Sequence, residues 1–508
     1  MKRIIGMILA AALLFGGCAD TANSTTAGSA DADQQATQPT VVTGDEAQQL
    51  SLAYDPDKTL NPYSCAHYTN RLLFSLLYQS LFVVDQGYQV EPQLCKSYTV
   101  SQDMKTYVFY LEQATFASGA MLTISDVIAS LEAARTSPVY RGRLTQVESV
   151  SATPDGGVQV QLATAYENFP LLLDIPIVHA SQVEAAYPDG TGPYALEYVS
   201  GGYQLRLRTN WWCSASLPIT ASTIPLVVAQ TAKEIRDVFE RENVGVVCAN
   251  PGSDTYVDFR SNYELWDCEN GVFLYLGCRA KSSVFSNETV RTALTHAIDR
   301  DTIVKEYYRT FAMAATLPAS PASPYYNKTL AAQYGFDAEL FRSALEQENL
   351  TGSSITLLVN KADGRRVKVA QAIKTMLEEC SLVVTVKAVS GDDYTKALDY
   401  GSYDLHLGQT VLSPNMDLSA FFDKKGALDF CGMEDGTLSS LCKDALANSG
   451  NYDTLHKAVM EDAMLCPVAF LTYAVYVQMD LVDDFTPSRD CIFFYSLGKT
   501  MEDALKTK

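Results

Sequence analysis

Positive charge is scarce in this chain. Its 508 residues carry 38 Lys and Arg against 59 Asp and Glu, a formal net charge of −21. Nucleic acid and anionic lipid heads both need clustered cations, so the acidic balance argues against either as a partner of the folded body. Histidine is limited to five residues, all isolated. The twelve cysteines include no C-x-x-C pair and no Cys/His cluster at zinc spacing. The motifs G-x-S-x-G, H-E-x-x-H, G-x-x-x-x-G-K-[ST] and G-x-G-x-x-G are absent, which leaves an enzyme without a recognisable nucleophile elbow, zinc site or phosphate loop. No period of 20–50 residues repeats, so the chain is not a solenoid.

What is present begins at the N-terminus. Lys2 and Arg3 precede the apolar run "IIGMILAAALLF" (4–15), followed by Gly16, Gly17 and Cys18. A basic start, a short apolar stretch and small residues before a cleavage point form an export signal, and the run is too short to span a bilayer comfortably. Cysteine directly after two glycines resembles the bacterial lipoprotein box, in which Cys18 is lipidated and becomes the mature N-terminus. Residues 1–17 are then the signal peptide. The small, polar stretch 18–44 reads as a flexible tether. Eleven cysteines remain beyond Cys18, an odd number without a framework, and are expected to be buried small apolar residues.

The body is 47% apolar and 19% charged over a length that calls for two or three lobes. "QLSLAYD" (49–55) alternates like a strand, and "NPYS" (61–64) turns. "TNRLLFSLLYQSLF" (69–82) has apolar residues at helical spacing, which predicts a helix. "TISDVIASLEAA" follows with Thr123 and Asp126 at the spacing of a helix cap and its third residue. In "GTGPYALEYVSGGYQLRLRTNWW" (190–212) a glycine-framed turn precedes two alternating runs. Such glycines supply positive φ, and Pro193 pre-sets the approach to the strand. "GVFLYLGCRA" (271–280) is nearly continuous in apolar residues, as in a strand buried on both faces. "SNETVRTALTHAIDRDTIVKEYY" predicts an amphipathic helix pair. Then "SSITLLVN", "RRVKVAQAIKTMLEEC", "LVVTVKAV", "DYTKALDYG" and "SYDLHLGQ" alternate strand and helix, the signature of α/β lobes on twisted mixed sheets.

In this order the segments "LNPYS" (60–64), "LLYQSLFVVD" (76–85), "LTISDVIASLEAA" (122–134), "GTGPYALEYV", "VRTALTHAIDRDTIV" (290–304), "YDLHLGQ" (403–409) and "CPVAFLTYAVYVQM" (466–479) resemble the oligopeptide/dipeptide/nickel family of ABC-transporter substrate-binding proteins. The resemblance covers about 49–501. It implies an α/β, bilobed, periplasmic-binding-protein-like (type II) clamp with mixed twisted sheets and a third inserted subdomain. Lobe one would comprise 45–80, 179–271 and 480–508, the insert 81–178, and lobe two 272–479, with hinges near Gly271 and Met479. A small solute, a peptide or peptide-like molecule, would bind in the cleft and close the clamp, which then docks on an ABC permease. The protein would be a monomer held on the extracytoplasmic face of the cell membrane by its N-terminal lipid alone. It would need no cofactor and no resident metal, and would carry out no catalysis. Presentation of a solute to a signalling receptor, a non-peptide solute such as a metal complex or sugar, and a secreted hydrolase are the alternatives.

For ligand contacts, the resemblance points to Tyr63 and Ser64 in the loop after the first strand and to "GQTVLSPN" (408–415). Peptide-binding members hold the ligand ammonium with an aspartate in that second segment. Gln409 stands where a tryptophan would be, Thr410 follows it, and Leu412 occupies the place of the aspartate. Asp417, after a register shift, is a substitute; otherwise the ligand lacks a free amine there. Arg365 and Arg366, just before a predicted helix, combine cations with free N–H groups, as an anion site does or as two solvated loop arginines do. Tyr194, Trp211 and Trp212 are expected in the core. His67 and His406 are the histidines a metal complex would need in the cleft; a lone histidine on an apolar strand is more often a core residue.

Overall fold

The computed structural model describes residues 50–215, 221–260, 262–424, 426–431, 436–479, 481 and 489. The export signal, the tether, Cys18 and most of 480–508 lie outside the described residues. An eleven-stranded mixed sheet runs through the molecule. From one edge its order is Tyr194–Val199, Gly202–Leu207, Thr223–Val228, Leu52–Tyr54, Val246–Ala249, Leu465–Gln478, Tyr263–Cys278, Leu405–Val411, Ser354–Asn360 and Val383–Val389. Ala312–Ala314 pairs with Leu465–Gln478 off this path. A separate four-stranded antiparallel sheet takes Cys95–Val100, Thr106–Leu111, Val158–Leu162 and Val147–Ala152.

Two long strands at the centre join the halves. Tyr263–Cys278 pairs antiparallel with Leu465–Gln478, and the ladder is continuous from Tyr263↔Gln478 to Glu269↔Thr472. It resumes at Phe273↔Phe470, so three residues, 270–272, face a single residue, Leu471. Gly271 sits in that break with φ +70, a conformation side chains resist. The Asn270 Oδ1 accepts from the Val272 N–H at 3.0 Å and fixes the loop. Leu265, Trp266, Val475 and Val477 on one side of the break are buried with the first strands of the chain. Leu274, Leu276, Val468 and Ala469 on the other pack with Leu357 and Leu405. On the second strand, 469–471 pair with Ala312–Ala314 and 474–477 pair with Val246–Ala249.

The predicted cap at Thr123 forms, and a second one closes the head of a later helix. Asp126 accepts from the Thr123 N–H at 2.8 Å at the head of helix Ile124–Thr136. Asp363 accepts from the Arg366 N–H at 2.9 Å at the head of Gly364–Glu379. One helix expectation fails. The run 69–82 yields only two single turns, Tyr68–Arg71 and Phe74–Leu77, before the chain extends at Tyr78 and enters strands Gln79–Ser80 and Phe82–Val84. Phe74, Ser75, Leu76 and Leu77 are buried on every side. Helical spacing there reflected an all-round buried segment rather than one amphipathic face.

The glycine turn also differs from expectation. Neither Gly190 nor Gly192 is among the positive-φ residues. Their backbone lies against that of Leu76 and Leu77. A Cβ on Gly190 would stand 2.2 Å from the Leu77 carbonyl oxygen, and one on Gly192 would stand 2.5 Å from that of Leu76. The side chains that follow satisfy the turn's carbonyls. Arg208 donates to Gly192 O at 2.8 Å and to Thr115 O and Phe116 O, both at 2.8 Å. The Trp211 indole donates to Thr191 O at 3.1 Å. The motif therefore stitches the four-stranded unit back onto the main sheet.

On one face of the main sheet, the loop following Val246–Ala249 reaches the other half. Asp254 accepts from the Gly364 N–H at 2.6 Å, Arg365 donates to Tyr307 O at 2.7 Å, and Arg309 pairs with Asp258. Phe259 stacks on Tyr476 at 3.9 Å in a cluster that includes Phe311.

The close approach at the turn gives a direct stability expectation. Gly192→Ala must push the Leu76–Leu77 backbone aside and should cost about 1–3 kcal/mol. Gly202→Ala, with open space around it, should leave the urea midpoint within about 0.5 kcal/mol of the parent. Equal midpoints for the two variants would remove the close-approach account.

Candidate functional site

A cleft of about 500 Å³ opens at the register break, within the roughly 300–1,000 Å³ of small-molecule sites. Its floor is the break itself: Cys268, Asn270 and Val272 from one long strand, Tyr473 from the other, and Cys248 beside them. Tyr68 packs on Tyr473 with ring centroids 5.8 Å apart, giving an aromatic surface on the floor.

The first wall carries Tyr68 and Arg71. It follows the "NPYS" loop, which Asn61 pins by donating to Val183 O at 2.7 Å and Ala185 O at 2.8 Å. Asn70, fully buried, exchanges hydrogen bonds with the Asp55 backbone, 2.9 Å in each direction. That anchor sets the single helical turn presenting Arg71.

The second wall is the loop Pro138–Arg143 after helix Ile124–Thr136. Ser137 ends the helix, donates to Tyr63 O at 2.6 Å and accepts from the Val139 N–H at 2.9 Å. The loop carries Arg141, exposed, and Arg143, which pairs with Asp174 and lies 5.3 Å from the centre of the Tyr140 ring. The third wall, from the end of strand Leu405–Val411, adds Thr410, Val411 and Ser413, with Arg489 nearby. Arg489 donates to the Leu412 carbonyl and lies 5.9 Å from the Tyr88 ring centre.

The charge of the lining is one-sided. Arg71, Arg141, Arg143 and Arg489 all border the cleft, and among the described residues no Asp, Glu, Lys or His does. An acidic protein has concentrated cations in one concavity, where low-dielectric walls focus their field.

Of the residues singled out from the sequence, Thr410 borders the cleft. Gln409, half-buried on the same strand, pairs opposite Leu274. Leu412 is buried against the Phe273 and Phe421 cluster. Tyr63 lies behind the second wall: its hydroxyl donates to Pro176 O at 2.8 Å, and its ring meets Tyr140 edge-on at 6.4 Å. Ser64 is exposed and outside the lining. Asp417 accepts from the Ser419 N–H at 2.8 Å and hydroxyl at 2.6 Å, also outside the lining; burial raises its pKa. Arg365 bridges to Tyr307 and Ser253 on other segments, whereas Arg366 pairs locally with Asp363 at the head of its own helix. Tyr194 and Trp211 are buried as expected; Trp212 is partly buried and donates to Gln79 at 2.8 Å. Sequence reasoning missed Arg71, Arg141, Arg143 and Arg489. The one available signal was the doublet Arg141-Gly-Arg143 in an otherwise acid-rich chain.

His406 and His456 behave as core residues. His406 is boxed edge-on by Tyr275, Tyr403 and Phe430. Burial lowers both His406 and His456 from 6.5 to about 4. His67 lies 3.9 Å from Asp55, and burial lowers its pKa too. Among the described residues no group of three or more His, Cys, Asp or Glu could hold a metal ion, and ten cysteines are free thiols.

The chain is similar to known proteins in sequence and fold. The family model "Bacterial extracellular solute-binding proteins, family 5 Middle" matches residues 89–427. The glutathione-binding protein GsiB of Salmonella typhi is 23% identical over 356 residues, 65% of this chain and 67% of that protein. Among solved structures, the ABC transporter substrate-binding protein CtaP of Listeria monocytogenes superimposes with a TM-score of 0.72 at 16% identity, over 90% of this chain and 99% of that one. NikA of Brucella suis, solved with Fe(III)-EDTA, gives 0.70 at 18% identity over 88% and 99%. The fold is the type II periplasmic-binding-protein fold those structures share. No helix among the described residues is long and apolar enough to cross a membrane.

The buried histidines predict acid sensitivity. In the unfolded chain each protonates near 6.5, in the folded state only near 4. Their stability is therefore fully present above pH 6.5 and is lost as pH falls toward 4. Between pH 8 and 5 each should cost about 2 kcal/mol. Urea unfolding across that range should show a shallower pH slope in His456→Leu than in the parent; an unchanged slope would contradict the assignment.

Proposed function

The chain belongs to the bacterial extracellular solute-binding proteins of family 5, and from that premise we propose that it captures a small peptide or peptide-like solute in the cleft at the register break. It delivers that solute to the permease of an ABC importer. The observation that carries the reading is the position of the cleft. Its floor is the wider of two irregularities in the pairing of the two long strands, so a solute there touches both halves of the sheet and the joint between them. Such a solute favours the conformation in which all walls reach it. Hinge movement is assigned to 270–272 on one strand and 470–472 on the other. The division into lobe one, the 81–178 insert and lobe two is kept in outline, with 472–478 moving with lobe one. Thr410 touches solute; Tyr63 holds the wall that does. The solute leaves unaltered.

The remainder of the reading concerns location. Cys18 carries the lipid, the stretch 18–44 is the tether, and the protein works as a monomer on the extracytoplasmic face. Several acyl chains on one residue, each methylene adding about 0.8 kcal/mol, hold a protein firmly on a membrane. Cys18→Ser should therefore move the protein from the membrane fraction to the soluble fraction; retention there with the variant overturns the anchor.

Two measurements test the capture. Mass spectrometry of the purified protein after denaturation should release a small molecule. Adding that molecule back to stripped protein should reduce the radius of gyration in solution scattering. A saturating solute with an unchanged radius, or its conversion into a product, would refute the proposal.

A further inference from the structure

We infer that the inserted subdomain, 81–178, is the closing arm of the clamp, and that it latches onto lobe two through a seam formed by Leu446, Glu167 and Tyr88. The inference rests on the solute-binding clamp proposed above and gives it a second, breakable joint whose strength sets how long the clamp stays shut.

The seam is built by mutual insertion. Helix Thr437–Ala447 of lobe two carries Leu446, which is buried in the cluster that holds Tyr107, Phe109 and Phe169 of the insert. Among the described residues it is the one buried member of that cluster drawn from 272–471. In return Val84, Tyr88 and Leu171 of the insert are buried in the cluster of Phe273 and Met416, whose other buried members all come from 273–470. Main-chain bonds fasten the same seam. The last carbonyls of a helix lack partners within it, and the Leu446 carbonyl accepts from the Glu167 N–H at 2.9 Å. The Glu167 carboxylate accepts from the Ser449 N–H at 2.8 Å. Tyr88, at φ +61, donates its hydroxyl to Glu269 at the margin of the register break. The insert thus holds lobe two with Glu167 and the hinge strand with Tyr88.

This seam is made to part. The core of the insert is continuous with strands Leu52–Tyr54 and Thr223–Val228 of lobe one, so those two move as one body. Rotation about 270–272 and 470–472 must therefore withdraw Leu446 from one cluster and Tyr88 and Leu171 from the other. The Glu167–Ser449 bond is exposed, so water replaces it as the halves separate. The buried Tyr166 hydroxyl lies beside Tyr325, Tyr452 and Asn415 of lobe two without reaching hydrogen-bond geometry, and gains water on opening. Apolar burial favours the shut state, and that hydroxyl offsets part of it. The second wall of the cleft, Pro138–Arg143, belongs to the insert, and the third, with Thr410 and Ser413, to lobe two. The seam consequently sets the distance between them, and residues that never touch the solute govern its release.

Hydrogen exchange read by mass spectrometry on the stripped full-length protein tests the latch without a ligand. The seam segments 84–90, 165–171 and 445–449 should exchange together, at least tenfold faster than strands Thr106–Leu111 and Val158–Leu162 inside the insert. Leu446→Ser should speed 84–90 and 165–171 at least tenfold further, leave those strands protected and enlarge the radius of gyration. Glu167→Ala, a change at the surface that keeps the core intact, should act in the same direction at least twofold. Leu398→Ser, equally buried in lobe two but in another cluster, should leave the insert segments at the parental rate. Seam segments that exchange only together with the insert's own strands mark a permanent joint and overturn the inference. Parental rates in both Leu446→Ser and Glu167→Ala overturn it too, as does equal acceleration by Leu398→Ser. If the latch fails while the co-purified solute still compacts the parent, solute capture stands. If the seam opens as expected and no solute compacts the protein, the moving arm is confirmed and the capture reading falls.

Discussion

The structure depends on a break in one hydrogen-bonded ladder. Paired strands resist bending because each bend must lengthen hydrogen bonds buried on both faces, and the two central strands here are buried for nearly their whole length. Residues 270–272 against Leu471 are where that resistance is relieved. Gly271 is required there twice over. Its φ of +70 disfavours a side chain, and a Cβ would meet the Arg489 guanidinium at 1.9 Å. A hinge placed inside a sheet rather than in a loose linker has few directions of motion. A cleft on the hinge proposed above would respond to its contents along those directions alone.

The two faces of this sheet carry different tasks. On one, Asp254, Asp258, Arg309 and Arg365 draw the two halves together, and Phe259, Tyr476 and Phe311 close the gap with apolar packing. The paired ions there are partly exposed, where each contributes only about 0–1 kcal/mol, so the aromatic packing supplies most of the cohesion. On the other face the cleft keeps its cations without acids among the described lining residues.

Much of the fold was legible because local chemistry and tertiary context agreed. Thr123 with Asp126 caps the helix that their spacing announces. The alternation from 354 to 411 folds as strand, helix and strand in the expected order. Failures came where the reason for a residue was a distant neighbour. The Gly190 and Gly192 positions need no side chain because Leu76 and Leu77 lie against them, more than a hundred residues away in sequence. The run 69–82 breaks into turns because every side of it is covered. Arg365 was read as a cation at a helix start, which it is, but the fold directs it to carbonyls of Tyr307 and Ser253.

The candidate site was the least legible part, for a related reason. Net charge is an average over the surface, and a cleft samples a handful of residues from it. Arg71, Arg141, Arg143 and Arg489 come from three places spread over 418 positions of sequence numbering (489 less 71), and no spacing rule connects those places. Only the loop anchored by Ser137, the turn anchored by Asn70 and the ladder break bring them around one volume. At about 8 Å screening in physiological salt, distant carboxylates scarcely reach the cleft, whose local field is set by its own lining and by close partners such as Asp174. A negative protein and a positive binding site are therefore compatible, because the range of the force is shorter than the molecule.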